Sequence, residues 1–453
     1  MKKLVSLLLA AMMLLASVAA LAEAPEGYPA IVEEMIQADP LTITIYDYWS
    51  GDGARVAEPS EEQQAQYDYR DWIEATYNVK IEQKQGGDWG TCAEEMINFV
   101  SAPDGSLRAY IIESGKVGTL VGNGIAAPID YDFSAEKWNK AMIDMWTIAG
   151  KTYAVSTGAC EPRGVLYFNK RVMEEANIDW NTIYDMQANG TWTWAAFEDM
   201  LKATTRDTDN DGINDIYGLV GSDFDMYVLS VFANGGCFFN FDENGDLQPA
   251  MNSEETISAL NWARDIYFKY WGSTPEGANW DWYKEAWKTG NYAFYMYQAY
   301  GGFNDNSEMA DMADEWGCVA FPVPNEGDTY VTVVSENMTL IPSCYDAETV
   351  SKIAFFNDLW TNTTPGYDAE DAWIGNKYNY TDDRAVDETY AMLRESEHNA
   401  VMRVVFLGTQ NDILGSPLLW SMGSSTPAEL IEAALPGRRC ATALTALGKV
   451  SRH

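Results

Sequence analysis

The chain has 453 residues, 47% of them hydrophobic and 13% aromatic, and a formal charge of −39 from 68 acids against 29 Lys and Arg. That apolar and aromatic load excludes global disorder, and the length exceeds what one core sustains, so two lobes are expected. The acidity opposes phosphate backbones and anionic lipid surfaces, which argues against nucleic acid as a partner and leaves a neutral ligand unaffected.

The N-terminal "MKKLVSLLLAAMMLLASVAALAEA" joins two lysines, an apolar run and the small-x-small triplet Ala20-Leu21-Ala22, the pattern of an export signal cleaved after Ala22. The expected location is extracellular or periplasmic. No lipobox cysteine ends the apolar run, so cell-surface association would need an uncleaved signal. Next, "LTITIYDYW" (41–49) alternates like a half-buried strand. A helix through 60–76 comes after it, with Ala65, Tyr69, Trp72, Ile73 and Thr76 at helical spacing, and "NVKIEQ" then returns as a strand. Strand, helix and strand in this order predict a parallel sheet. "LRAYIIE" (107–113) offers a third strand, and "VGTLVGNGIAAPID" a short helix with a loop to Asp130.

The middle of the chain reads as helices. "TWTWAAFEDMLKATT" starts at a Thr193 cap and places Trp194, Phe197, Met200 and Leu201 on one face. In "NSEETISALNWARDIYFKY", Asn252 and Glu255 are expected to form a capping-box variant before the stripe Ile257, Leu260, Ala263, Tyr267 and Tyr270. A further helix after Asp346 carries Val350, Ile353, Phe356 and Trp360. No internal repeat or low-complexity linker interrupts these elements. Six cysteines (92, 160, 237, 318, 344 and 440) show no CxxC, which disfavours metal clusters and leaves any disulfide pairing unreadable.

"TRDTDNDGIND" (205–215) supplies Asp207, Asp209, Asp211 and Asp215 at the oxygen-ligand positions of a calcium loop, Gly212 at its sharp turn and the Ile213 carbonyl beyond it. The bidentate Glu of a regulatory calcium loop is replaced by Gly218. A structural Ca2+ and a solvated acidic turn both stand as readings. Catalytic motifs are absent: two histidines, His398 and His453, are too few for a His-ligated zinc site, and neither a GxSxG elbow nor a P-loop occurs. With 68 acids, a secreted glycoside hydrolase using a carboxylate pair is the alternative that composition leaves open.

The signal, "GIAAPID" (124–130), "GKTYAVSTG" (150–158), "GVLYFNKRVMEEANID" (164–179), "TWTWAAFEDM", "DTDNDGINDIYGL", "ANGG" (233–236), "WKTGNYAFYMY" and "WGCVAFPVP" (316–324) occur in an order that resembles the family 1 extracellular solute-binding proteins of ABC importers, which include maltose-binding protein. The resemblance spans nearly the whole chain. It implies an α/β, two-lobed, periplasmic-binding-protein-like fold with the cleft between lobes and hinge crossings near Val155–Gly164, near Gly327–Val331 and near residue 395. The N-terminal lobe is then 23–155 with 329–395, and the C-terminal lobe 156–328 with 396–453. The implied function is non-enzymatic: capture of a carbohydrate, oligosaccharide-sized by its aromatic load, and delivery to a membrane ABC permease by a monomer.

Sugar sites combine stacking aromatics with polar hydrogen-bonders. On the implied fold the cleft candidates are Tyr48, Trp49 and Asp52 after the first strand, Trp89 after the second and Glu113 after the third. In the second lobe Tyr227 and Asn234 flank "ANGG", and "YAFYMYQAYGG" (292–302) resembles the family's strand before a stacking aromatic, pointing to Tyr297, Gln298 and Tyr300. Trp280, Trp282, Tyr283 and Trp287 read equally as a stacking platform or a buried helix face. Arg163, beside the first crossing, reads as a structural ion pair or a ligand contact. From Gly437 the tail "GRRCATALTALGKVSRH" holds four Lys and Arg and no acid. It either docks on the acidic surface or is out of frame.

Overall fold

The computed structural model describes residues 23–241, 247–303, 307–334, 336–367, 380, 382–401, 419 and 421–434. The signal segment, Cys440 and the basic tail lie outside the described residues. Ten strands position the site: β1 (Leu41–Asp47), β2 (Val79–Gln85), β3 (Leu107–Glu113), β4 (Gly164–Asn169), β5 (Tyr217–Gly221), β6 (Tyr292–Gln298), β7 (Trp316–Val319), β8 (Thr332–Val334), β9 (Asn337–Leu340) and β10 (Asn399–Val401). One sheet has the order β9-β3-β1-β2, with β1 parallel to both β2 and β3 and β9 antiparallel to β3. The other has the order β7-β4-β6-β5, with β6 parallel to β5 and antiparallel to β4. The fold is thus α/β with two sheets, each the centre of one lobe.

The helices used below are α1 (Glu61–Tyr77), α2 (Cys92–Ser101), α3 (Ser114–Gly122), α4 (Trp194–Thr204), α5 (Asp223–Ala233), α6 (Glu254–Tyr270) and α7 (Ala347–Trp360). Their starts reflect local chemistry. Ser60 accepts the Gln63 N–H while the Gln63 side chain accepts the Ser60 N–H, a reciprocal cap that satisfies two orphan donors of α1. Asn78, left-handed at φ 52°, ends that helix. Thr193 caps α4 as expected. For α6 the cap is Ser253, which accepts the Thr256 N–H, and not Asn252; its buried face is Thr256, Ala259, Leu260, Ala263 and Ile266.

Burial tracks these stripes. Ile43, Ile45, Ile73, Ile81 and Ile353 pack on one face of the first sheet between α1 and α7. A second cluster runs without a break from Tyr110, Ile112 and Trp146 through Val165, Phe168 and Phe294 of the second sheet. Trp146, Trp192 and Trp287 are fully buried, and truncating such a ring costs about 3 to 5 kcal/mol. Trp287 therefore belongs to a packed helix face, while Trp280 is 81% exposed. Among the described residues Cys92, Cys160, Cys318 and Cys344 are free thiols. No helix among the described residues is long and apolar enough to cross a membrane.

Two segments join the sheets and lie side by side. Val155 and Thr339 exchange backbone hydrogen bonds at 3.1 and 2.7 Å, and the Arg163 N–H donates to the Val333 carbonyl at 3.0 Å. The Thr332 hydroxyl oxygen also accepts from the Gly164 N–H at 3.2 Å. Strand β10 adds a third connection by pairing in parallel with β8.

Candidate functional site

The parallel strands of the first sheet end at Asp47, Gln85 and Glu113, beside the start of antiparallel β9, and the loops beyond them form one wall of the cleft. A pocket of about 250 Å³ opens there. Its wall includes Asp47, Trp49 and Ser50 from the first strand end and Ser156, Thr157 and Arg163 from the first crossing. Glu336, Asn337 and Thr339 come from the second crossing and β9, with Trp138 and Asn357 behind them. Among its polar groups hydroxyls and amides dominate, with two carboxylates and one guanidinium, and Trp49, Ile111 and Trp138 add apolar surface.

The turn after β1 sorts its residues by side. Asp47, buried, accepts the Trp49 and Ser50 N–H groups at 2.8 and 3.0 Å. This tight turn leaves the Trp49 indole 71% exposed on the pocket wall and sends Tyr48 inward. The Tyr48 hydroxyl donates to Asn337 Oδ1 at 2.5 Å, and burial, helped by the Glu113 charge, holds that hydroxyl far above its usual range. Asp52 accepts the Gln85 N–H at 2.8 Å and so pins the loop to the end of β2.

Glu113 caps α3, accepting the Gly115 N–H at 2.8 Å, with Lys116 Nζ 3.5 Å away. Lys116 also donates to the Trp89 carbonyl and lies 3.9 Å from the centroid of its ring, a cation–π contact that fixes an indole still 53% exposed. Of the first-lobe candidates, then, Trp49 and Trp89 present rings to solvent, whereas Tyr48, Asp52 and Glu113 hold the frame.

The second lobe is built differently. β5 ends at Gly221, where φ is +142° and an added Cβ would lie 2.0 Å from the Met296 carbonyl oxygen, so no other residue fits. Ser222 caps α5 immediately afterwards, accepting the Asp225 N–H at 3.2 Å. The helix therefore starts at the strand end and turns Tyr227 into the core, fully buried and, among the described residues, with no hydrogen-bond partner for its hydroxyl. That corrects the expectation of Tyr227 as a ligand contact: proximity to "ANGG" in sequence does not place it in the cleft. Asn234 donates to the Glu255 carbonyl at 2.7 Å and to Ser258 Oγ at 3.0 Å, a tie between α5 and α6. Tyr297 is 6% exposed, its ring stacked 5.2 Å from Tyr295. Its hydroxyl meets that of Tyr300 at 2.7 Å, and Tyr300 is 39% exposed.

Gln298 lies 3.5 Å from Arg163 Nη1 and hydrogen-bonds Asp225. Burial pushes the Asp225 carboxyl up to about 6, against the opposing pull of Ser222, Gln298 and Arg163. The sequence reading did not single out Glu336, Asn337, Ser156 or Thr157. A signal was present: "SEN" interrupts the apolar run between β8 and β9, and polar residues inside such a run mark a surface the strands must expose.

In the acidic loop, carboxylate oxygens of Asp207, Asp209 and Asp215 lie within 4.8 Å of one another. Hard oxygen donors about 2.4 Å from a shared Ca2+ span no more than that, so these three fit one ion. Asp211 instead accepts the Ile213 N–H at 2.8 Å and is not part of the group. N–H donors of the loop, Gly212 first, hold Asp207 below the usual carboxylate range, and the Thr208 hydroxyl does the same for Asp215.

A family model described as bacterial extracellular solute-binding protein matches residues 19–350. No curated protein sequence matches. Among solved structures, an extracellular solute-binding protein from Staphylococcus aureus in complex with maltose shares 14% identity at TM-score 0.60, covering 91% of this chain and 99% of that one. The cyclic alpha-maltosyl-1,6-maltose binding protein from Arthrobacter globiformis shares 15% at TM-score 0.58, with the same coverage of 91% and 99%. An ABC substrate-binding protein from Listeria monocytogenes in complex with cycloalternan shares 14% at TM-score 0.56, again over 91% and 99%. At these identities the likeness is one of fold.

Proposed function

This chain belongs to the bacterial extracellular solute-binding proteins, and from that premise we propose that its cleft captures a neutral carbohydrate and delivers it to a membrane ABC permease. The observation that carries the reading is Trp49: an indole 71% exposed beside a pocket walled by hydroxyls and amides, the pairing of ring face and hydrogen-bonders that a sugar requires. Trp89 and Tyr300 offer further ring faces at the strand ends. The protein acts as a monomer, and closure of the lobes about the two side-by-side crossings, not chemistry, is its mechanism. The lobes divide near residues 155, 328 and 395.

Thermal-shift measurements with maltose, maltotetraose and cycloalternan, together with analysis of the recovered sugars, test this. A ligand at ~100 times its dissociation constant should add roughly 2.7 kcal/mol, and every sugar should return unchanged. Cleavage that vanishes on changing Glu336 or Asp47 to its amide would replace the binder by a glycoside hydrolase. We further propose that Asp207, Asp209 and Asp215 hold a structural Ca2+ that relieves their mutual repulsion. Chelator should then lower the melting temperature of the wild type and leave Asp209→Ala unmoved.

A further inference from the structure

The segment between β8 and β9 passes the pocket at Glu336, whose side chain forms part of the wall. One carboxylate oxygen is engaged: Oε1 accepts the Glu161 N–H at 3.0 Å, from the other crossing. Among the described residues no donor reaches Oε2. Glu161 is itself held from behind, its carboxylate accepting from Arg394 and from the Tyr390 hydroxyl. Among the described residues Glu336 is thus anchored on one oxygen to the crossing pair and unengaged on the other, in a pocket whose remaining polar groups are mostly hydroxyls and amides that both donate and accept.

We propose that Glu336 is a specificity-determining ligand contact, its carboxylate accepting a hydrogen bond from a hydroxyl of the bound carbohydrate at the crossing itself. This rests on the carbohydrate reading given above. A carboxylate accepts only, so it fixes the direction of the hydroxyl proton opposite it, whereas a serine or asparagine would tolerate either direction. A site built on such a contact rejects an analogue lacking that hydroxyl more strongly than an apolar wall rejects a missing methylene. Because Oε1 also ties the two crossings together, the ligand is read where the lobes meet.

The groups around Glu336 give the contact a pH dependence. Burial raises its carboxyl above the usual range and Glu161 adds to the rise; Arg163, the Glu161 N–H and Arg394 oppose it, and the Cys160 thiol lies close enough to feel the charge. Asp47 shares the pocket wall. As pH falls through the raised value Glu336 takes up a proton, the ionised acceptor is lost, and affinity for a hydroxyl donor drops.

Calorimetric titration of the full chain with maltotetraose and cycloalternan, from about pH 8 to about pH 5, tests this on wild type, Glu336→Gln and Glu336→Ala. Glu336→Gln keeps a carbonyl oxygen for the Glu161 N–H and should fold; its affinity should fall roughly 10- to 100-fold at the upper pH, as expected for a lost charge-assisted hydrogen bond, and should lose the acid-side decline of the wild type. Glu336→Ala should bind no better. Equal affinity and an unchanged pH profile in Glu336→Gln would make Glu336 a strap between the crossings and overturn the proposal. Should the variants fail to fold, a wild-type affinity flat across the range overturns it equally. If neither sugar binds the wild type at any pH, the carbohydrate reading fails and takes this inference with it.

Discussion

The two rims of the cleft use similar residues to opposite effect. On the first rim, β1 and β2 run into loops, and two aromatics of those loops, Trp49 and Trp89, are left outside with their backbones pinned by Asp47 and Lys116, while Tyr48 turns inward. On the second, β5 passes straight into a capped helix and β6 into the turn Ala299–Phe303, so Tyr227 and Tyr297 are folded under. The element that succeeds a strand therefore decides the side taken by Trp49, Trp89 and Tyr227. The carboxylates show the same contrast: Asp47 accepts two backbone N–H groups, whereas Asp225 lies in the interior with side-chain partners and a carboxyl raised to about 6.

The largest expected effect separates the rims by stability. Tyr227→Ala should lose about 3 to 5 kcal/mol of unfolding free energy in a urea titration, the cost of an emptied aromatic site. A loss below about 1 kcal/mol would mean that the second rim is as open as the first. Next comes pH. Asp225 in the folded state titrates near 6 against an ordinary value of 3.8, so the folded state binds the extra proton between those values and stability rises as pH falls through that window. The gain should reach up to about 3 kcal/mol between neutral pH and about pH 4, and Asp225→Asn should abolish that part of the slope.

Binding then separates the rims in the other direction. Trp49→Ala should weaken sugar affinity by about 1 to 3 kcal/mol and change stability by less than about 0.5 kcal/mol. A large stability loss with intact affinity would move Trp49 to the structural side. The finest test is Tyr227→Phe. It removes a buried hydroxyl that has no partner among the described residues, so stability should stay level or rise by up to about 1 kcal/mol, and a fall would reveal a hydrogen bond at that hydroxyl.

Much of the fold was legible because local chemistry and tertiary demand agree. The helical spacing of Tyr69 and Ile73, the cap at Thr193, and the parallel arrangement of β1 and β2 all rest on such agreement, whereas the Ser60 cap and the burial of Tyr77 in place of Thr76 emerge only in the structure. The site was less legible. Exposure of Trp49 and burial of Tyr227 depend on whether a loop or a helix comes after the strand, and "YDYWSGD" and "GSDFDMY" hold similar residues there. Ser222 stands where it can cap a helix, whereas Ser50 donates its N–H to the Asp47 turn. For Glu336 the only local mark is the polar "SEN" inside an apolar run, which does not say what surrounds it, since Glu161, Arg163 and Arg394 are brought there only by the crossings. Asn252 against Ser253 is a smaller miss of the same kind: two good capping residues stand side by side, and packing of Thr256 and Leu260 chooses between them.

Strand β9 completes the first sheet yet comes after the whole central portion of the chain. Until it is made, β3 is an open sheet edge with unpaired N–H and C=O groups. The distant tie from the Arg108 N–H to the Tyr345 hydroxyl, 237 residues apart, is likewise missing. The first half to be synthesised is therefore among the last to reach its native form, and the contacts that finish it are of high sequence separation, the kind that slow folding. For the cell this sets a waiting time. The nascent first lobe must be kept from pairing with other edges until more than three hundred residues have left the ribosome. A shortage of holding chaperone should show first as aggregation seeded by β3, before any loss of binding activity is seen.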